Sequence, residues 1–175
     1  MEKRVFYVKI KTMKKLILLL LLPTIALAQL QPHWNEREYF NISMSIDPNA
    51  SIQEKSLDAN LELEYVGKLY VKVGIEYFPG LSPSYFDWHG AIGVNVMQGL
   101  NDEWRAYSGI RLGRIFRESK SRGELFGLET GLDYKINDSF FIGIRGTYDY
   151  RNDGIFLGWD DYWRASGFVR VGIIF

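Results

Sequence analysis

The chain has 175 residues, no cysteine, 17 glycines, 15% aromatic residues, and 21 basic side chains against 21 acidic ones. That length suits one domain with a sizeable interior. The absence of cysteine excludes a disulfide scaffold and a thiolate metal site, and the absence of a basic tract argues against nucleic acid as a partner.

In chain order, Lys14 and Lys15 come first, before the apolar run Leu16 to Leu22, and Ala26-Leu27-Ala28 follows. Basic residues, a short apolar stretch and an A-x-A site are the pattern of a secretory signal peptide, so residues 1–28 are expected to be cleaved away. Met13 is a second candidate start that keeps the whole pattern. A membrane anchor would need about 20 apolar residues, more than this run supplies. Residues 1–28 hold six basic side chains and one acidic, so the remainder carries 15 basic and 20 acidic, a net charge of −5. Residues 29–37 are expected to be a flexible N-terminal segment.

After Gln29 no stretch is long and apolar enough for a transmembrane helix, and strict alternation takes over. Phe40, Ile42, Met44 and Ile46 alternate with polar residues, as do Ala59, Leu61, Leu63 and Tyr65. Leu69 to Tyr77 and Trp88 to Val96 repeat the pattern, followed by Trp104 to Leu112 and Phe126 to Tyr134. Phe140 to Tyr150 and Trp163 to Phe175 complete it. Ser108 and Thr130 break the apolar face; Phe141, Phe168 and Ile174 break the polar one. The pattern predicts eight strands of about ten residues, a length that crosses a bilayer when tilted. Tight turns are expected at Gly67-Lys68, Gln98 to Asp102 and Asn137-Asp138. Longer loops are expected at Asp47 to Ser56, Pro79 to Tyr85, Arg117 to Arg122 and Arg151 to Tyr162.

Alternation alone does not distinguish a soluble barrel from a membrane barrel; aromatic placement does. One end of the strands carries Phe40, Tyr65, Trp104, Tyr134, Phe140 and Phe175 on the apolar face. The other end carries Tyr77, Trp88, Phe126, Tyr148, Tyr150 and Trp163. Between them lie mostly Ile, Leu, Val and Ala. Two aromatic girdles around an aliphatic belt are what lipid contact selects. The fold class predicted for residues 38–175 is therefore all-β: an eight-stranded antiparallel up-and-down transmembrane β-barrel.

On strand number, loop alternation, girdles and the terminal Phe175, the chain resembles the small eight-stranded outer-membrane barrels of the OmpA-barrel and OmpX type. The end of the chain is similar to the signature read by the outer-membrane assembly machinery, except that Arg170 stands where a glycine is usual. The resemblance implies a bacterial outer-membrane location and little about activity. Outer-membrane lipid and lipopolysaccharide would then be the surroundings, and other outer-membrane proteins a candidate class of partner.

The inward face is predicted to hold an ionic network of Glu62, Glu64, Lys72, Glu76, Arg105, Arg111, Glu129, Asp133, Arg145, Asp149, Arg164 and Arg170, with Lys135 beside it. Seven of these are basic and six acidic. Isolated charges in so narrow a lumen would be very costly, so they are expected to pair across it. Glycines on the same face would make room for them.

Some barrels of this shape modify lipid A, which puts catalysis in question. A deacylase would need His and Ser two apart on an outward face, but His89 is followed by Ala91 and has inward parity. The sequence offers no catalytic constellation, no metal-ligand spacing and no cofactor motif. Ile155, Phe156, Leu157 and Trp159 make one loop unusually apolar, as a partner-docking segment or a cap over the mouth. The leading expectation is a non-enzymatic barrel with a structural or interaction role, such as an accessory subunit of a larger complex. A lipid A- or phospholipid-modifying enzyme and a narrow channel are the alternatives.

Overall fold

The computed structural model describes residues 38–175 except 82, 99–102, 118–120 and 155–159. The expected signal peptide, the 29–37 segment and the apolar loop residues Ile155, Phe156, Leu157 and Trp159 lie outside the described residues. Eight strands are present: β1 (Tyr39–Ile46), β2 (Ala59–Val66), β3 (Leu69–Phe78), β4 (Tyr85–Gln98), β5 (Trp104–Arg117), β6 (Ser121–Lys135), β7 (Phe140–Arg151) and β8 (Tyr162–Ile174). Each pairs antiparallel with the next. β1 pairs with β8 from Asn41 opposite Ile174 to Ile46 opposite Val169, so the sheet closes and has no edge.

The two-residue period decides which side chain faces where. Val73 is 56% exposed and Ile144 59%, whereas Lys72 is 1% exposed and Arg145 2%. The barrel is therefore inside out relative to a water-soluble one: its aliphatic residues form the outer wall and its charges fill the middle. Water is a poor solvent for such a wall and lipid a good one. Ser108 and Thr130 sit opposite each other on this wall. Each hydroxyl donates to the other strand's backbone, Ser108 Oγ to Glu129 O at 3.2 Å and Thr130 Oγ1 to Tyr107 O at 3.1 Å. Neither of these two hydroxyl hydrogens is left facing hydrocarbon.

Three features differ from the sequence expectation. The strands β4 and β5 run 14 residues and β6 runs 15, longer than the ten expected. Pairing in the β5–β6 hairpin continues to Arg117 opposite Ser121, so Arg117, Ser121 and Arg122 of the expected loop belong to strands. Past the girdle the alternation inverts, with Arg114 and Glu124 outward and Ile115 and Leu125 inward, which hides it from a pattern read for outward apolar residues. Second, the register between β4 and β5 shifts between Asn95 and Met97, leaving Val96 as the extra residue of a bulge.

Third, the first long loop contains a short helix, α1 (Pro48–Glu54). Asp47 caps it by accepting from Ala50 N at 3.0 Å, Pro48 opens the first turn, and Lys55 ends it in the left-handed region at φ 52°. Ala50 on α1 and Leu81 pack over Phe78, Tyr85, Ile115 and Leu125, which close the lumen at the loop end.

The wall assignment makes a direct prediction. Val73→Arg, in the middle of the belt, should destabilise the barrel in lipid vesicles by ~2–4 kcal/mol. Ile52→Arg, on α1 and 76% exposed outside the belt, should be neutral. Urea unfolding followed by tryptophan fluorescence measures both.

Candidate functional site

The interior is built in layers from inward residues of all eight strands. At the turn end, Glu64 on β2 accepts from Arg105 Nη2 at 2.5 Å, Arg170 Nη2 at 3.1 Å and Asn41 Nδ2 at 3.0 Å. Asp133 on β6 lies 3.2 Å from Arg105 Nη1 and 3.6 Å from Arg170 Nη1. Two arginines and two carboxylates thus form a closed ring across the lumen. Each guanidinium fork bridges two acids, a geometry that lysine lacks.

In the next layer Lys72 Nζ meets Glu129 at 3.0 Å and Glu62 at 3.9 Å, while Arg145 pairs with Glu62. Tyr70 donates its hydroxyl to Glu129 at 2.8 Å. Above this, Arg111 reaches Asp149 at 2.7 Å, Glu76 at 3.2 Å and Asp87 at 3.6 Å. His89 lies between Asp87, at 2.7 Å from Nδ1, and Glu62, at 3.4 Å from Nε2. Arg151 joins Asp149 at 3.3 Å and Glu76 at 4.0 Å.

At the loop end Arg164 gathers three carboxylates: Asp58 at 2.9 Å, Asp47 at 3.7 Å and Glu76 at 3.8 Å. Arg117 pairs with Asp153 at 2.7 Å and also donates to Pro83 O at 3.1 Å. Asp58 lies just outside β2. Burial, then the neighbouring charge of Glu76, push its carboxyl up to about 7 despite Arg164.

Aromatic rings fill the space between the charges. Tyr107 has Arg105, Lys72 and Arg170 at 4.5, 4.8 and 5.6 Å from its ring centre, and Tyr70 edge-on at 5.2 Å. Tyr85 lies between Arg117 at 5.0 Å and Arg151 at 4.9 Å. Phe168 and Phe141, the exceptions to the polar face, lie 4.4 Å from Arg145 and 5.0 Å from Arg170. They are ring surfaces for buried guanidinium groups. Glycines make room for charges and rings alike: Gly127 and Gly143 lie against the carboxylates of Asp149 and Asp133, and other glycines lie against rings. A Cβ on Gly131 would run into the Tyr107 ring, and one on Gly172 into Phe141.

All twelve network residues predicted from sequence point inward and are paired, Arg164 being the one not fully buried. Asp47, Asp58, Asp87, Asp153, Arg117 and Arg151 also belong to this set. Among the described residues the lumen therefore holds ten carboxylates against nine cationic side chains, counting Lys135, instead of six against seven. Continuing each strand's parity past its last apolar residue would have found Asp87, Arg117 and Arg151. The same rule reaches Asp47 and Asp58, which continue the inward parity of Ser45 on β1 and Asn60 on β2 on either side of α1.

The girdle residues have outward parity at both ends. Phe40 packs on Tyr65 at 5.2 Å, Trp104 on Tyr134 at 4.7 Å, and Tyr148 stacks on Trp163 at 4.8 Å. Phe86 and Phe116, 6.0 Å apart, extend the loop-end girdle by a row that the sequence reading missed. Among the described residues, no cluster of three or more His, Asp or Glu side chains is arranged to hold a metal ion.

Two substitutions probe the interior. Glu64→Ala leaves Arg105 and Arg170 to share Asp133 and should cost about 3–5 kcal/mol in urea unfolding. Gly131→Ala should cost about 1–3 kcal/mol by displacing Tyr107. Gly167→Ala, with nothing within 4 Å, should leave the unfolding midpoint unchanged.

No protein-family model and no curated protein matches the chain. Solved structures match it in fold. The N-terminal β-barrel domain of Pseudomonas aeruginosa OprF is 14% identical over 80% of this chain and 98% of its own, with a TM-score of 0.53. Neisserial surface protein A (NspA) is 12% identical over 78% of this chain and 95% of its own, at 0.50. A de novo designed transmembrane β-barrel is 9% identical over 82% of this chain and 100% of its own, also at 0.50. At such identities the likeness is one of fold: an eight-stranded, up-and-down, closed transmembrane β-barrel.

Proposed function

We propose that this chain is a bacterial outer-membrane barrel, delivered by a cleaved signal peptide, with a structural or interaction role instead of a catalytic one. Its surroundings are outer-membrane lipid and lipopolysaccharide, its short turns face the periplasm, and its partners are other outer-membrane proteins. The observation that carries this reading is the filled lumen, where guanidinium groups, carboxylates and rings occupy every layer. An eight-stranded barrel is just wide enough for its own side chains. What remains to meet other molecules is the wall and the loop end. An accessory position in a larger outer-membrane complex follows from that division.

The enzyme reading finds less support. The hydrogen-bond partners of His89 are Asp87, Glu62 and Arg111, all inside the lumen. Acyl transfer needs a nucleophile beside the base, and here carboxylates hold both sides of the imidazole. An acyl chain would also need an apolar pocket, where this lumen is ionic. The channel reading meets the same filled interior.

Co-purification in mild detergent from native membranes is the discriminating experiment. Recovery with a defined set of outer-membrane proteins is expected; migration only as a lone barrel counts against the interaction role. Lipid A and phospholipid mass spectra with and without the gene should be identical, and a changed acylation pattern would establish the enzyme instead. Planar bilayers containing the purified barrel should show no unitary conductance steps.

A further inference from the structure

We propose that Asp47, Asp58 and Glu76, gathered on the guanidinium of Arg164, form a proton-operated latch that holds the first loop on the barrel mouth below neutral pH and loosens it above. The loop spans Asp47 to Asp58 and includes α1. Its two ends are joined by Asp47 N donating to Asp58 O at 3.1 Å. Ser51 ties them again: its Oγ donates to Asp47 O at 2.6 Å and accepts from Asp58 N at 2.9 Å. Both end carboxylates therefore move with α1. Both face Arg164 on β8, which is thus the ionic tie between loop and barrel.

Charge counting gives the tie its sensitivity. Away from the mouth two layers balance, Glu64 and Asp133 against Arg105 and Arg170, then Glu62 and Glu129 against Lys72 and Arg145, with Lys135 beside Tyr39 at the turn-end rim. Among the described residues the loop-end half sets six buried carboxylates (Asp47, Asp58, Glu76, Asp87, Asp149 and Asp153) against four arginines (Arg111, Arg117, Arg151 and Arg164). Glu76 and Asp149 are served by Arg111 and Arg151, and Asp153 by Arg117. Among the described residues the cation paired with Asp58 is Arg164, which it shares with Asp47 and Glu76.

Asp58 is fully buried, and its Oδ1 has no hydrogen-bond partner. A carboxyl in that position relieves the charge surplus by taking a proton. The proton also supplies a donor among acceptors, since Glu76 Oε1 lacks a hydrogen-bond partner too. The raised pKa of Asp58, about 7 against 3.8 in the unfolded reference, fits this placement. In the window between those values the closed loop binds a proton that the open loop releases. Closure therefore weakens as pH rises from about 4 to 7 and is constant above that. The groups facing Asp58 are Asp47 from the loop, Glu76 from β3 and Arg164 from β8, with Arg111, Arg151 and Asp149 behind Glu76. Loosening the latch lifts Ala50 off Phe78, Tyr85, Ile115 and Leu125 and so uncovers the apolar plug of the mouth.

Amide hydrogen exchange across residues 47–58, corrected for intrinsic base catalysis, tests this in bilayer-embedded protein from pH 5 to 8.5. Wild-type protection should fall by up to about tenfold per pH unit between pH 5 and 7 and then level off. In Asp58→Asn the profile should be flat. In Glu76→Gln, which removes the charge that raises Asp58, the fall should move to lower pH. The Gly67-Lys68 turn at the opposite end should show no such dependence. A pH-independent wild-type loop, or an unchanged slope in Asp58→Asn, overturns the latch; should Asp58→Asn not fold, an unshifted profile in Glu76→Gln does so.

Discussion

The ion pair between guanidinium and carboxylate is the interaction on which this barrel depends. Turning the aliphatic residues outward toward lipid commits the lumen to polar side chains, and the closed cylinder keeps bulk water out of it. An unpaired charge there would cost several kcal/mol, and a pair recovers that loss only with good geometry on every side. The ring of Glu64, Arg105, Asp133 and Arg170 meets the condition because each arginine bridges two acids and each acid bridges two arginines. Strands far apart in sequence are thereby tied across the lumen as well as along the sheet. The interior consequently sets the barrel's diameter from within while backbone pairing sets it from without.

Rings and glycines solve the packing problem that this ionic interior creates. Arginines and carboxylates alone would leave gaps beside their stems, and buried gaps sacrifice dispersion contacts. Tyr70, Tyr85, Tyr107, Phe141 and Phe168 fill those gaps with faces that also attract cations. Three of these rings stand against a position without a side chain: Tyr70 against Gly109, Tyr107 against Gly131 and Phe141 against Gly172. Glycine within a strand normally weakens it. Here that loss is offset because the ring occupies the vacated volume and the wall side of the same strand still carries its aliphatic residues.

Much of this architecture was legible in the sequence because both of its determinants have a period of two. The alternation from Phe40 to Ile46 and the girdle pairs such as Trp104 with Tyr134 are properties of single residues, so reading them needs no contact information. Phe141 and Phe168 look like errors in the pattern until the guanidinium groups of Arg170 and Arg145 are placed beside them. The extension of β5 and β6 beyond the girdle was hidden because outside the lipid belt neither face has to be apolar. Asp47 and Asp58 carry the inward parity of β1 and β2 one residue past each strand, and only the fold brings them onto Arg164.

The distribution of charge along the lumen follows the same desolvation argument. The two inner layers, each with two acids and two bases, sit farthest from the loop-end opening, and no side chain in them is more than slightly exposed. An excess of either sign at that depth would have no solvent or counterion to stabilise it. The surplus of carboxylates occurs only at the loop end, where the Arg164 side chain retains 19% of its exposure. Protons and water reach that point, so an unbalanced acid there can neutralise itself instead of breaking the sheet. Charge neutrality is thus enforced in the depth of the barrel and negotiable at its mouth, and the segment resting on the negotiable charges is the first loop.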